Sequence, residues 1–456
     1  MDQGAMARYL AEFVGTFVLV FSVGCNVISK NVVWAGVSIG ATLMVLIYAL
    51  GGVSGAHLNP AVSVALGLAK KAEWNELGIY IGCQLAGGIS AGIAYSLILQ
   101  QTFNLSWPGG MWYGGMAEVL YTFMLCFVVL NVAASRMHAG KNQYYGLAIG
   151  FVVVAGAYAA GHVSAACFNP AVAFGVDIAS AHLGFGGCIA YAIYELIGAA
   201  LAAGLFRICR PDDYDDAVAA DLDQDGDYPL SARFVSEFLG TFMLVVTVGL
   251  NVLGKSPAAA FSIAASLMCM IYALGSVSGA HFNPAVTVAI VCAGKDKPSR
   301  TMKDAGAYVG AQLLGGIVAA LTYSMINRAE TFRLAPAKGY GELQAWLLET
   351  VFTFLLAFVV LSVACVEKPL KEFFGLAIAF CVTAGGFAIG GISGGSLNPA
   401  VSAGVALSNI IEDGTKASML HGPGYMAFEV LGGAMAAGLF MVTRPFDGEE
   451  KKPLSA

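Results

Sequence analysis

The residues best suited to handling a small polar molecule form a tripeptide that the sequence spells four times: Asn59-Pro60-Ala61, Asn169-Pro170-Ala171, Asn283-Pro284-Ala285 and Asn398-Pro399-Ala400. Asn is a good helix N-cap, because its side-chain oxygen accepts a backbone N–H, and Pro is pre-set for the first helical position. Each copy therefore predicts the start of a short helix. Small residues precede each one (Ser54-Gly55-Ala56, Ser164-Ala165-Ala166, Ser278-Gly279-Ala280, Ser393-Gly394-Gly395) and allow a tight turn there. One such tripeptide carries little information, whereas four in apolar surroundings carry a good deal. Four carboxylates, Glu12, Glu118, Glu237 and Glu349, also fall inside apolar stretches, where an ionisable group marks a site by default and a proton relay is one chemistry it supports. His57 and His281 stand just before two of the motifs. The ten Cys show no CxxC or Cys/His spacing, so buried structural thiols are expected, with no metal site and no disulfide framework. No nucleophile–base pair is evident, so an enzyme is not expected.

The elements that must position these residues are transmembrane helices. Of 456 residues 58% are hydrophobic and only 11% charged, with mean hydropathy +0.74, against roughly 25% charged in a soluble domain. Twelve windows are apolar enough, over roughly 17–25 residues, to cross a bilayer as helices. The first begins near Tyr9 without a short apolar core or a cleavage site, so it is read as a retained span. The expected class is an all-α, multi-pass membrane protein without a cofactor, and nothing in the sequence suggests nucleic-acid binding.

The spans repeat. Glu12-Phe13-Val14-Gly15-Thr16-Phe17 returns as Glu237-Phe238-Leu239-Gly240-Thr241-Phe242, Gln84-Leu85-Ala86-Gly87-Gly88 as Gln312-Leu313-Leu314-Gly315-Gly316, and Glu195-Leu196-Ile197-Gly198 as Glu429-Val430-Leu431-Gly432. The chain is thus expected to hold two homologous units, residues 1–208 and 232–445, joined by an acidic linker at 209–231 and followed by a tail at 446–456. Within each unit the spacing from Glu to Asn recurs: 47 residues from Glu12 to Asn59, 51 from Glu118 to Asn169, 46 from Glu237 to Asn283 and 49 from Glu349 to Asn398. Each half-unit holds three spans plus one short segment led by Asn-Pro-Ala. Three is odd, so the second half enters from the opposite side. Such an inverted repeat tends to place its working site at the midplane, with half-helix N-termini pointing inward.

Basic residues set the orientation. Lys70, Lys71, Arg136, Lys141, Arg207 and Arg210, like Lys295, Lys297, Arg300, Lys303, Lys368, Lys371 and Arg444, fall in loops that share the side of the N-terminus. Arg328, Arg333 and Lys338 run against this pattern. Both termini and the linker are expected to be cytoplasmic. The linker, residues 211–229, carries eight Asp and reads as a flexible, solvated tether. Asp221-x-Asp223-x-Asp225-Gly226 matches the start of an EF-hand loop, but Ala232 stands where that loop needs a bidentate Glu, so calcium binding is not expected.

With the four Asn-Pro-Ala motifs, Glu-x-x-x-Thr-Phe in spans one and four, Ser-Gly-Ala-His before the first motif and Gln-x-x-Gly-Gly in span three, the sequence resembles the aquaporin (major intrinsic protein) family over nearly the whole chain outside linker and tails. The resemblance implies six tilted helices and two re-entrant half-helices per unit, hence 12 spans and 4 half-helices in tandem. It also implies one pore per unit and four pores per assembly, which two chains would supply as a homodimeric pseudo-tetramer in lipid. Glu12, Glu118, Glu237 and Glu349 would then anchor the half-helix loops by accepting backbone N–H groups, and His57 and His281 would be loop anchors too. In such a pore Asn59 would face Asn169 and Asn283 would face Asn398. Each would offer amide N–H donors, and converging helix dipoles would oppose cations.

The family's outer constriction falls, by spacing from the motifs, on Ile39, Ala157, Ala166 and Val172 in the first unit, and on Ile263, Gly386, Gly395 and Val401 in the second. Water-selective members carry Arg at the last position and aromatic or His residues at two others, whereas none of these eight is polar or aromatic. A wider, more apolar filter is expected, passing water and small neutral solutes such as glycerol, urea, ammonia or peroxide. Ala173 and Ser402 stand where glycerol facilitators usually carry Asp. The rival readings are a twelve-helix secondary transporter, also built from nested inverted repeats, and a non-conducting junction or scaffold member of the family.

Overall fold

The structure, a computed structural model, describes residues 3–224, 226–297, 300–413 and 418–444. The tail at 446–456 and Asp225 of the calcium-like pattern lie outside the described residues. All regular secondary structure among the described residues is helical. In order come α1 (Gln3–Ile28), α2 (Ala35–Ser54), α3 (Pro60–Leu68), α4 (Trp74–Leu99), α5 (Met111–Val129), α6 (Tyr145–Ser164), α7 (Pro170–Ala179), α8 (Gly187–Cys209) and α9 (Asp216–Asp223). Then follow α10 (Leu230–Leu253), α11 (Ala259–Ser278), α12 (Pro284–Cys292), α13 (Met302–Ile326), α14 (Glu342–Val363), α15 (Phe374–Ile389), α16 (Pro399–Asp413) and α17 (Ser418–Thr443). The chain divides into two compact units, Met1–Asp223 with Leu250–Ala273, and Gln224–Gly249 with Leu274–Ala456.

Among the described residues eleven helices are long and apolar enough to span a membrane. The remaining apolar segment at a span position, α15, has 16 residues. Its sequence explains the early stop: Gly390 and Gly391 follow directly, and glycine weakens a helix by about 1 kcal/mol relative to alanine. In its counterpart α6 the helix runs on to Ser164.

Gln-x-x-Gly-Gly has a packing reason. Gly87 on α4 faces the Phe13 carbonyl of α1 and Gly88 faces the Ala171 carbonyl of α7, so a Cβ at either position would overlap backbone. Gly315 and Gly316 on α13 meet the Phe238 and Ala400 carbonyls in the same way. One glycine pair thus lets a long span touch both a neighbouring span and a half-helix, the close approach that small residues give in membrane helices.

The linker differs from the flexible tether expected of its composition. Its first part forms a short 3-10 turn, Pro211–Asp213, and then α9. Asp213 accepts from Lys71 Nζ and from the Arg136 backbone N–H, Tyr214 donates to the Ala69 carbonyl at 2.9 Å, and Arg136 pairs with Asp223 at 3.1 Å. At its far end Asp227 receives Arg300 Nε at 2.8 Å and lies 3.6 Å from Arg233. Burial pushes the Asp227 carboxyl up, but Arg300, Lys297 and Arg233 outweigh it and hold it below the usual carboxylate range. Three of the segment's eight Asp, Asp213, Asp223 and Asp227, are thus paired with basic side chains from outside it, while Asp215, Asp216 and Asp221 are exposed.

Candidate functional site

Each short helix starts as its tripeptide dictates. Asn59, Asn169 and Asn283 are extended (φ −157°, −155° and −156°), and their Oδ1 atoms accept from Ala61, Ala171 and Ala285 N–H at 2.8–2.9 Å. Asn398 accepts from Ala400 at 2.9 Å. The amide nitrogens do something spacing could not show. Asn59 Nδ2 donates to the Phe168 carbonyl at 2.8 Å and Asn169 Nδ2 to the Leu58 carbonyl at 2.9 Å. In the second unit Asn283 donates to Leu397 at 2.8 Å and Asn398 to Phe282 at 2.9 Å. Each Asn therefore caps its own half-helix and ties down the opposite loop. An amide has two N–H donors, so each Asn has one beyond this bond.

The residue before every Asn is left-handed although none is glycine: Leu58 (φ 50°), Phe168 (54°), Phe282 (50°) and Leu397 (55°). For bulky residues this conformation costs about 1–3 kcal/mol and needs outside support. The buried glutamates supply it. Glu12 accepts from His57 N–H at 3.0 Å, Leu58 N–H at 2.8 Å, Ser54 Oγ at 2.6 Å and Gln84 Nε2 at 2.8 Å. Glu118 accepts from Cys167 N–H, Phe168 N–H and Ser164 Oγ at 3.0, 2.8 and 2.6 Å. Glu237 holds His281 N–H, Phe282 N–H, Ser278 Oγ and Gln312 Nε2, and Glu349 holds Ser396 N–H, Leu397 N–H and Ser393 Oγ. His57 Nδ1 lies 3.1 Å from Ser63 Oγ, and His281 Nδ1 3.1 Å from Thr287 Oγ1.

A second support escaped the sequence reading. Tyr80, Tyr191, Tyr308 and Tyr425 each donate their hydroxyl to the carbonyl of the motif serine: Ser54 at 2.9 Å, Ser164 at 2.6 Å, Ser278 at 2.7 Å and Ser393 at 2.5 Å. One turn further along each helix stands Gln84, Glu195, Gln312 or Glu429; Gln84 and Gln312 donate to Glu12 and Glu237 at 2.8 Å. Glu195 accepts from Asn169 N–H at 2.8 Å and Glu429 from Ser402 Oγ at 2.8 Å. The signal was present as Tyr-x-x-x-(Gln/Glu) in four spans, a spacing that puts both side chains on one helix face.

In the first unit Asn59 and Asn169 line a cavity of about 890 Å³. At one end it is bordered by Lys71, Ala72, Ala139, Gly140 and Asn142, from the loops before α4 and α6; this is the basic mouth. At the other it is bordered by Val32 and Phe103 to Ser106, from the loops before α2 and α5. Ile39, Ala157, Ala166 and Val172 all lie on its wall, as do His57 and Cys167. Pro60, Ala61, Pro170, Ala171, Glu12 and Glu118 stand behind that wall, supporting it. In the second unit Gly386 lies within α15, Gly395 holds a left-handed φ of 65° and Val401 is buried in the first turn of α16. Pro284, Ala285, Pro399 and Ala400 are buried at the starts of their half-helices, and Ile263 sits on α11. None of the ten cysteines is in a disulfide, and no group of metal-ligating side chains occurs among the described residues.

Comparison with known proteins places this architecture. The family model described as "Major intrinsic protein" matches residues 2–107, 109–255 and 249–437. The chain belongs to the major intrinsic protein family. It is similar to aquaporin AqpM of Methanothermobacter thermautotrophicus, 35% identical over 243 residues, which cover 46% of this chain and 95% of that one. It is also 35% identical to aquaporin NIP1-1 of Zea mays over 230 residues, 46% of this chain and 80% of the relative. The match to the Arabidopsis thaliana relative named as aquaporin NIP4-1 is 33% identical and spans 62% of that protein's length and 37% of this chain. Among solved structures, the aquaglyceroporin from Plasmodium falciparum aligns at 20% identity and TM-score 0.41, covering 48% of this chain and 99% of that one. The chain is about twice the usual length for the family, as a tandem fusion requires.

Proposed function

We propose that this protein is a passive membrane channel with one pore per repeat unit, passing water and small neutral solutes such as glycerol, urea, ammonia or peroxide. The observation that carries this reading is the first unit's cavity, which is bordered by loops at both ends and passes two Asn amides on a largely apolar wall. Ile39, Ala157, Ala166 and Val172 form its filter in this reading, with Ile263, Gly386, Gly395 and Val401 in the corresponding places of the second unit. Without an Arg fork the filter lacks a fixed positive charge, and cation rejection rests on the half-helix dipoles at Asn59, Asn169, Asn283 and Asn398. A coupled transporter is less well supported. Glu12, Glu118, Glu237 and Glu349 are each spent on two loop N–H groups. The basic loops support a cytoplasmic position for the linker and both termini.

The test is reconstitution. Proteoliposomes should swell with glycerol or urea, and Val172→Arg with Val401→Arg should cut that flux by about tenfold, a barrier increase of ~1.4 kcal/mol. Swelling with water alone overturns the wide filter, and no permeability above empty liposomes overturns the channel.

A further inference from the structure

The basic mouth of the first unit's cavity has a charged side chain in its wall, Lys71, and that side chain is not loose. Its ammonium binds Asp213 of the linker and lies 5.6 Å from the Phe206 ring centroid and 5.9 Å from that of Tyr214. The Asp213 side chain is 1% exposed, and the same Oδ1 also accepts the Arg136 backbone N–H at 2.9 Å. Tyr214 closes the arrangement by donating to Ala69, two residues before Lys71. One carboxylate therefore joins the two loops, before α4 and before α6, that border this mouth.

We propose that Asp213 is a positioning residue, a latch that draws the Lys71 ammonium against the wall and so keeps the basic mouth of the first pore clear. The proposal rests on the channel reading. A lysine is a strongly hydrated point charge on a flexible four-carbon stem. Held by a buried carboxylate and two aromatic faces, it is neutralised and parked. Released, it brings its charge and its bound water into the opening that Ala72, Ala139, Gly140 and Asn142 border. The linker thus does more than join two units, because the aperture of the first depends on it.

The test uses the full chain in proteoliposomes, both unmodified and with Val401→Arg restricting the second conduit. Asp213→Asn should lower glycerol or urea flux about threefold or more, Asp213→Glu should retain it, and adding Lys71→Ala to Asp213→Asn should restore it. Rescue by removing the lysine separates the latch from a general loss of structure. Asp223→Asn, at the exposed pair with Arg136, should leave flux unchanged. A second readout does not depend on conduction. Acylation of Lys71 by a membrane-impermeant amine-reactive ester, followed by mass spectrometry, should rise in Asp213→Asn relative to Lys70. Unaltered flux in Asp213→Asn, failure of Lys71→Ala to restore it, or unaltered Lys71 acylation overturns the latch alone. An unmodified chain that passes no solute overturns the channel reading, and the latch's role with it.

Discussion

Leu58, Phe168, Phe282 and Leu397 hold a backbone conformation that their side chains resist, and each does so beside a carboxylate that takes two successive loop N–H groups. Strain and support belong together. Glu118→Gln tests this while keeping size and shape. An amide has one acceptor oxygen where the carboxylate has two, and its NH2 would face a backbone N–H. We expect a loss of about 2–4 kcal/mol, from a buried N–H left unpaired and from relaxation of the loop, read as a fall in thermal unfolding temperature in detergent. An unchanged midpoint would mean the loop holds its shape without the acid. The motifs themselves were legible because capping is local: Asn and Pro act within three residues of themselves. The tyrosines at 80, 191, 308 and 425 were not. Each bonds a carbonyl 26 to 32 residues away, and a Tyr in an apolar span reads as ordinary packing until that carbonyl is located.

At the scale of elements, long spans and half-helices approach closely through single glycines. Gly88→Ala would press a methyl into the Ala171 carbonyl, and Gly316→Ala into that of Ala400. Each is expected to cost about 1–3 kcal/mol, as overpacking of a tight core does. Because the strain falls on the first turn of α7 or α16, solute flux should drop further than the unfolding temperature alone would imply. Alanine at Gly78 or Gly82, which have open space around them inside α4, is the control and should leave flux unchanged with an unfolding temperature no lower than that of the unmodified chain. Helix identity was readable from composition, but helix length was not always so. α15 stops at 16 residues because paired glycines follow it, a local weakness that an average over an apolar window conceals. The linker was misjudged for the opposite reason. A segment with eight Asp among residues 211–229 reads as solvated, while the partners of Asp213 stand far off in sequence, Lys71 at 142 residues and Arg136 at 77.

For the whole molecule, a doubled chain would halve the number of copies that a four-pore assembly needs. Four units from two chains would close the ring that the family resemblance implies, and the exposed apolar faces of the spans, such as Val45, Ile93, Ile193 and Leu201, offer surface to lipid or to a second copy. Native mass measurement in detergent should give a dimer of the 47.1 kDa chain. A monomer at all concentrations would set the pseudo-tetramer aside.

The reciprocal amide bonds between opposed loops also bear on biogenesis. Asn59 must wait for a carbonyl 109 residues downstream, and Asn283 for one 114 residues downstream, so neither loop is complete when its own half leaves the ribosome. Maturation of each repeat is therefore a late, mutual event: two half-built loops stay unfinished until they meet.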